Sequence, residues 1–226
     1  MRDPSIKSYA PAWAVGEPGQ GGVVVEVIES GDDAFPVGSH AVSQLPWVLY
    51  QAVPAAALRL LPKADELPAG FRYSQFVGAC GMTGLSALCP IAEWVEDEDM
   101  TGKVCLVSGA AGAVGSVACG VLKARGARVI GSAGSDAKVA HLLEDLGLDA
   151  AFNYKTGESY QANVVAALAD LGADGIDFYW DNVGGESLEA ALNTANAHAL
   201  FILCGAVRWE GWSVVVVGGG GGGGGW

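Results

Sequence analysis

Apolar and polar residues follow two different patterns along the chain. Between residues 101 and 207, short continuous apolar runs alternate with longer stretches in which apolar residues recur every three or four positions. The short runs are typical of strands buried on both faces, and the longer stretches are typical of amphipathic helices. This region is therefore predicted to be an α/β fold, with a doubly wound parallel sheet covered by helices.

The predicted elements of this region alternate with short connections. Strands are expected at residues 103–109, 127–133, 150–155, 175–184 and 198–206, and helices at 113–126, 135–147, 160–172 and 186–195. Gly126, Gly147 and Gly172 stand just past three of these helices, where a left-handed C-cap is favoured. Ser135 is a good N-cap for the second helix.

Residues 1–75 show the other pattern, in which prolines and glycines separate short apolar runs. Residues 21–30 are rich in β-branched side chains and bounded by turn residues, which predicts a strand. Residues 35–42 have the composition of a turn that leads into another strand. A small β-rich unit is expected here.

The region between these two units has apolar residues at helical spacing. Residues 72–94 are predicted to form helical segments broken near Gly81 and Gly84. The chain ends in eight consecutive glycines before Trp226, which cannot bury side chains and are not expected to join the fold. The predicted organisation is a β-rich domain at 1–75, a helical connection at 76–100, an α/β domain at 101–207 and a low-complexity tail at 208–226.

Composition and charge narrow the classes of partner. Hydrophobic residues make up 51% of the 226 residues, which is ample for a buried core. The formal charge of −13 would repel phosphate backbones and anionic lipids, so nucleic acid and membranes are poor partners. The start of the chain lacks the apolar core of a signal peptide, and no apolar run is long enough to cross a bilayer. A cytoplasmic protein is expected.

The cysteines and histidines do not predict a metal site. The five cysteines form no C-x-x-C pair and are interpreted as buried, reduced thiols; they are Cys80, Cys89, Cys105, Cys119 and Cys204. The three histidines are not at ligand spacing from them. We therefore expect no bound metal.

A glycine-rich stretch, SGAAGAVGS at residues 108–116, lies between the first predicted strand and helix of the α/β region. Gly109, Gly112 and Gly115 form G-x-x-G-x-x-G, and Ala110 replaces the first glycine of the strict dinucleotide pattern. Gly112 would let the backbone approach a pyrophosphate, and Gly115 would let the helix pack closely. The helix N-terminal amides would face the phosphates. The alternative is a tight turn without a ligand.

The end of the second predicted strand indicates which nucleotide is preferred. An NAD site needs an acidic residue there for the ribose hydroxyl, but residues 131–133 are Gly-Ser-Ala. Ser135, the following helix N-terminus and Lys138 are suited to a 2′-phosphate, so NADPH is favoured. Asp136 complicates this interpretation, since it could be mistaken for the acidic residue that holds the ribose. Lys138 is also interpretable as an ordinary exposed helix lysine.

The short-chain dehydrogenase pattern fits the sequence less well. That pattern, T-G-x-x-x-G-x-G, would need its middle glycine where Ala113 stands. It also needs Y-x-x-x-K, whereas Tyr154 is directly followed by Lys155. This alternative is weak.

Several stretches stand in an order shared with one family: SYAPAWAVGEPGQGG, GACGMTGLSAL, SGAAGAVGSVA, GSAGSDAKVAHL, AAFNYKT, DNVGGE and LCGAV. Over about residues 8–207 the chain resembles the zinc-independent medium-chain dehydrogenase/reductases, most of all the prostaglandin and alkenal reductase branch. The resemblance implies a Rossmann domain preceded by a GroES-like β domain, here partial because the chain is expected to be cut at both ends.

The resemblance also implies a set of cofactor-binding residues. They are Gly112, Ala113, Val114 and Gly115 at the pyrophosphate, Lys138 and Tyr154 near the 2′-phosphate, Asn182 near the cofactor, and Cys204, Gly205, Ala206 and Val207 along the nicotinamide. From the residues alone, Tyr154, Asn182 and Cys204 are each interpretable as structural. No catalytic residue is identified.

The activity that the resemblance implies is reduction of the carbon–carbon double bond of α,β-unsaturated aldehydes and ketones. NADPH would deliver hydride to the β-carbon, and the enolate would be protonated at the α-carbon. Quinone reduction and a non-catalytic nucleotide-binding protein remain alternatives. Family members usually carry a tyrosine shortly after the CGA segment, and none follows here. Family members are often dimers, so a homodimer is a further expectation for the full-length protein.

Overall fold

The computed structural model describes residues 13–95 and 99–205. They belong to two compact units that divide between Met82 and Thr83. We call the described residues before this point the β-rich unit and those after it the α/β unit. Ala206, Val207 and the predicted tail at 208–226 lie outside the described residues, and the four domain limits given above stay predictions.

The β-rich unit contains a three-stranded antiparallel sheet in the order β1-β2-β3. The strands are β1 (Gln20–Glu26), β2 (His40–Pro46) and β3 (Arg59–Leu60), with short 3-10 helices at Ala55–Ala57, Ala64–Glu66 and Tyr73–Val77. The strand expected within residues 35–42 is β2, which begins at His40 and continues to Pro46. The strand predicted at 21–30 is β1, which ends earlier, at Glu26. Ser30 and Asp32 explain part of this, because the Asp32 backbone N–H donates to the Ser30 hydroxyl at 3.1 Å in a local turn.

A single helix, α1 (Met82–Val95), follows this unit. The break predicted at Gly81 is present, since a Cβ there would lie 2.5 Å from the Phe76 carbonyl oxygen and no side chain fits. The break predicted at Gly84 is wrong. Gly84 is buried in the first turn of α1, so its helix propensity cost of about 1 kcal/mol does not end the helix there.

The α/β unit is a five-stranded sheet in the order β6-β5-β4-β7-β8, in which every neighbouring pair is parallel. Its strands are β4 (Val104–Val107), β5 (Arg128–Ala133), β6 (Ala150–Asn153), β7 (Ile176–Asp181) and β8 (Ala195–Leu203). Its connecting helices are α2 (Ala113–Ala124), α3 (Asp136–Glu144), α4 (Tyr160–Leu171) and α5 (Glu186–Asn193). The predicted fold class is confirmed.

Both faces of this sheet are buried, as the continuous apolar runs require. In β4, Cys105 and Val107 belong to one core cluster, and Val104 and Leu106 belong to the other. All four residues are at most 1% exposed. Adjacent residues of one strand therefore point into different cores, which explains why the strand has no polar alternation.

The glycines predicted just past three helices have the expected left-handed conformation, but the residue that caps α3 is Asp145, two positions before Gly147. Gly126, Gly147 and Gly172 have φ values of +87°, +65° and +61°, which glycine adopts without strain. The Ser135 hydroxyl accepts a hydrogen bond from the Lys138 backbone N–H at 3.4 Å. The three glycines lie outside the observed helices, so the helices are shorter than the predicted ranges.

The last strand differs from its predicted range. β8 begins at Ala195 rather than at residue 198, and its pairing with β7 shifts register between Ile176 and Phe178. His198 has φ +67°, which is unusual for a residue with a side chain. Asn196 and His198 interrupt the apolar pattern at the start of β8, so the sequence pattern did not indicate that the strand begins at Ala195.

The interpretation of all five cysteines as buried is wrong. Only Cys105 and Cys119 are buried, whereas Cys80, Cys89 and Cys204 are exposed. Burial raises the pKa of the Cys119 thiol to about 12 and raises that of Cys105 well above its usual value. The two buried thiols are therefore protonated and unreactive near neutral pH.

Candidate cofactor-binding site

A cleft of about 790 Å³ opens at the carboxyl ends of the strands of the α/β unit. β4 lies between β5 and β7, so the chain leaves β4 in one direction and returns to its other side later. Parallel sheets bind ligands at such a reversal, because the turns on either side diverge and leave a crevice. The cleft is the candidate site of this unit.

Most of the residues predicted to bind a cofactor line this cleft. Those that line it are Gly112, Ala113, Val114, Gly115, Lys138, Tyr154, Asn182, Cys204 and Gly205. Ser135 is not among the lining residues, since its hydroxyl caps α3. Ala206 and Val207 lie outside the described residues. The fold thus brings together residues that are up to 93 positions apart in the sequence, from 112 to 205.

The glycine turn between β4 and α2 is built by close backbone contacts. Gly109 has φ +59°, and its carbonyl oxygen accepts from the Gly112 N–H at 3.0 Å. A Cβ on Gly115 would collide with this carbonyl oxygen and lie 2.9 Å from the Cα of Ala110. The absence of a side chain at Gly115 therefore lets α2 start directly against the turn.

The N-terminus of α2 is left without a side-chain cap. The hydroxyl groups of Ser135 and Ser159 cap α3 and α4, but the N-cap of α2 is Gly112, which makes no side-chain hydrogen bond. The backbone N–H of Ser116 donates to the Gly112 carbonyl at 2.9 Å. The three N–H groups before it belong to residues that line the cleft and have no place in the helical ladder. They are available to an anionic ligand.

A buried carboxylate shapes the opposite wall of the cleft. Asp181 is 2% exposed, and its Oδ1 accepts hydrogen bonds from the Ser108 and Tyr179 hydroxyl groups, both at 2.9 Å. The same oxygen accepts from the backbone N–H groups of Val183 and Gly184 at 2.9 and 2.8 Å. These donors offset the cost of burying a charge, and they fix the turn that follows β7.

Asn182 is held in this turn by both ends of its side chain. Its Nδ2 donates to the Ser108 carbonyl at 2.7 Å, and its Oδ1 accepts from the Trp180 indole at 3.1 Å. The backbone N–H groups of Cys204 and Gly205 both donate to the Asp181 carbonyl, at 2.9 and 3.0 Å. These hydrogen bonds connect the segments after β4, β7 and β8 to one another in the cleft wall.

Basic side chains line the end of the cleft at the turns after β5 and β6. Lys138 is exposed, and within the described residues no hydrogen bond or ion pair engages its ammonium group. The Lys155 ammonium lies 5.9 Å from the centre of the Tyr154 ring, and both residues line the cleft. Asp136 does not line the cleft. This end is therefore suited to an anion.

Several lining residues were missed by sequence reasoning, among them Ser86, Ser132, Lys155, Tyr160 and Ser187. The Tyr160 hydroxyl donates to the Ser132 hydroxyl at 2.7 Å, and burial raises the pKa of Tyr160 above its usual value. Tyr160 opens α4, so it reaches the cleft only because the fold returns α4 to the end of β5. No local pattern signals this placement.

Cys204 is the exposed thiol of the cleft. Partial burial raises the pKa of its thiol, and the Asp181 carboxylate adds to this effect. The described residues contain no group of three histidine, cysteine or acidic side chains arranged to bind a metal ion. Within the same residues, no helix has the length and apolar character needed to cross a membrane.

Comparisons with known proteins agree on the kind of fold and cofactor. The family model described as zinc-binding dehydrogenase matches residues 113–217. The chain is similar to prostaglandin reductase 1 of Rattus norvegicus, with 38% identity over 207 residues, 91% of this chain and 60% of that protein. It is also similar to the NADP-dependent oxidoreductase RED1 of Cochliobolus heterostrophus, with 31% identity over 207 residues, 92% of this chain and 56% of that protein.

Solved structures include a similar fold with a bound cofactor. CurA from Vibrio vulnificus in complex with NADPH matches with a TM-score of 0.74 and 27% identity, over 94% of this chain and 60% of that chain. The present chain thus spans 56% to 60% of the length of the relatives described here.

Proposed function

We propose that this chain, a member of the medium-chain dehydrogenase/reductase family in the branch of the prostaglandin and alkenal reductases, binds NADPH in the cleft of the α/β unit. We further propose that the protein reduces the carbon–carbon double bond of α,β-unsaturated aldehydes and ketones. The observation that carries the proposal is that the start of α2, beside the glycine turn, has no side-chain cap and lines the same cleft as Lys138, whose ammonium group has no partner among the described residues.

The cleft residues fit the two phosphate groups of NADPH in different ways. The free N–H groups at the start of α2 and the positive end of the helix dipole suit the pyrophosphate. A Cβ on Gly112 would lie 3.1 Å from the Gly109 carbonyl oxygen, so glycine fits this turn with less crowding than any other residue. Lys138 and Lys155 supply positive charge for the 2′-phosphate at the other end.

The chemistry of the reaction needs position more than acid strength. NADPH supplies the hydride when it is bound. The residues of this chain hold the ligand in one orientation, because the wall around Asn182 is fixed by Ser108, Trp180 and Asp181. Partial burial and the Asp181 carboxylate raise the pKa of the Cys204 thiol, which disfavours a negative charge beside the ligand.

An assay with paired acceptors tests this function. The purified protein is mixed with NADPH and either a medium-chain 2-alkenal, a quinone or no acceptor, and the decay of NADPH absorbance is followed. We expect turnover with the alkenal, and we expect deuterium from 4-deuterated NADPH at the β-carbon of the saturated product. Turnover with the quinone alone would favour quinone reduction. Binding of NADPH without turnover of either acceptor would favour a non-catalytic protein.

A further inference from the structure

Asp136 is an acidic residue at the end of the cleft where the proposal places the 2′-phosphate. It is the first residue of α3 and is exposed, and it stands in the sequence between Gly134 and Lys138, which both line the cleft. A carboxylate in this position can accept a hydrogen bond from a ribose hydroxyl, and it repels a phosphate. Its orientation therefore bears on the choice between NADH and NADPH.

The Asp136 carboxylate is engaged by a residue of the neighbouring strand. Asn153, the last residue of β6, donates from Nδ2 to Asp136 Oδ1 at 2.7 Å. Asn153 Oδ1 accepts from the backbone N–H of Lys155 at 3.1 Å. A carboxylate can only accept and an N–H can only donate, so these two partners define which end of the amide faces each of them.

Asn153 also begins the turn that carries two lining residues. Its carbonyl accepts from the backbone N–H of Thr156 at 3.1 Å and from the Thr156 hydroxyl at 3.0 Å. Tyr154 and Lys155 lie inside this turn and line the cleft, whereas Asn153 and Asp136 do not. The Asn153 side chain thus binds the Asp136 carboxylate outside the cleft and also orders the backbone of Lys155, which lines the cleft.

We infer that Asn153 is a positioning residue that determines cofactor specificity. By holding the Asp136 carboxylate out of the cleft, it leaves Lys138 and Lys155 as the charged groups that the turns after β5 and β6 present to the 2′-phosphate. This inference rests on the proposed binding of NADPH. According to this inference, Asn153 helps the protein to distinguish NADPH from NADH, in addition to forming the turn.

A double-mutant cycle tests the inference. Calorimetric titrations with NADPH, NADH and adenosine 2′,5′-bisphosphate compare the wild type with Asn153→Ala, Asp136→Asn and the double variant. In Asn153→Ala the freed carboxylate should weaken NADPH and the bisphosphate about fivefold, the effect of one unscreened charge pair near 4 Å in water, and leave NADH within about twofold. In the double variant the affinity for NADPH should return to within about twofold of Asp136→Asn.

The outcomes separate the inference from the proposed function. If the wild type binds NADPH and Asn153→Ala keeps the same preference over NADH, the inference is overturned and the proposed function stands. If the double variant stays as weak as Asn153→Ala, the residue acts only by forming the turn, which also overturns the inference. A wild type that binds neither NADPH nor the bisphosphate overturns both. Circular dichroism of each variant checks that the fold is retained.

Discussion

The two units of this chain bury their apolar residues to very different degrees. In the α/β unit, two clusters of buried side chains cover the two faces of the sheet. Among the described residues of the β-rich unit, the buried apolar side chains are Val27, Ala41, Leu45 and Leu61. In the same unit, Leu49 and Tyr50 are 94% and 78% exposed. The α/β unit therefore has an extensive hydrophobic core, whereas the described part of the β-rich unit has only a small one.

This difference teaches where a hydrophobic pattern is informative. A strand buried on both faces, such as β4, can only be built from a continuous apolar run, and such a run is easy to recognise. A short antiparallel strand such as β1 alternates between exposed and half-buried positions, and its limits depend on turns. The hydrophobic pattern therefore predicts the strands of the α/β unit more closely than those of the β-rich unit.

The largest effect should come from a direct comparison of the two units. Leu106→Ala removes a fully buried side chain of β4, and we expect a loss of about 2 to 5 kcal/mol in the free energy of unfolding. The matched control Leu49→Ala, in the β-rich unit, should change it by less than about 0.5 kcal/mol. Urea unfolding followed by circular dichroism measures both. Equal losses would break the contrast between the units.

A second comparison lies within α2 and sharpens the role of the glycine turn. Gly115→Ala places a Cβ against backbone atoms of Gly109 and Ala110, so we expect a loss of about 1 to 3 kcal/mol and weaker binding of NADPH. Gly120→Ala is the control, because a Cβ there meets nothing within 4 Å. It should stabilise the protein by up to about 1 kcal/mol through helix propensity. Thermal unfolding distinguishes the two, and a stable Gly115→Ala would contradict the account.

Reversal of one charge in the α/β unit tests the preference for NADPH. Lys138→Glu should weaken NADPH by about tenfold or more, because a charge-assisted hydrogen bond to phosphate contributes about 1.5 to 3 kcal/mol. NADH lacks the 2′-phosphate, and its affinity should change by less than about twofold. Titration of each coenzyme into the variant measures the ratio. An equal loss of affinity for both coenzymes would show that Lys138 does not contribute to the preference for NADPH over NADH.

The smallest expected effect concerns thiol reactivity in the two units. Cys80 of the β-rich unit is exposed, as are Cys89 and Cys204, and these should react with a disulfide reagent near neutral pH. Cys105 and Cys119 should react only after unfolding, because burial raises their pKa values. NADPH should slow the labelling of Cys204, which lines the cleft. Mass spectrometry of labelled peptides identifies each site, and rapid labelling of Cys119 in the folded protein would be inconsistent with its burial.

The raised thiol pKa values also predict a pH dependence. Between the ordinary value of 9.0 and about 12, the unfolded Cys119 thiol loses its proton while the folded one keeps it. The folded state then binds more protons than the unfolded state, so the free energy of unfolding should fall as the pH rises through this window. Replacement of Cys119 by alanine should reduce that slope.

The sequence was sufficient for those parts of the site that depend on local geometry. Gly115 could be assigned from its spacing, because a strand, a tight turn and a helix leave no space for a side chain there. Ser135 was assigned correctly as an N-cap, but its hydroxyl is used by α3 and does not line the cleft. Tyr160 and Ser132 could not be paired in advance, since 28 positions separate them and only the fold brings them to 2.7 Å.

The central claim is that the turn at residues 109–115 holds the pyrophosphate of NADPH, and calorimetric titration of the wild-type chain tests it most directly. The account predicts saturable heat with a stoichiometry of one NADPH per chain, with tighter binding than for NADH, and weakened binding in Gly115→Ala but not in Gly120→Ala. Absence of binding heat with either coenzyme, across temperatures that would reveal a heat capacity change, would contradict it.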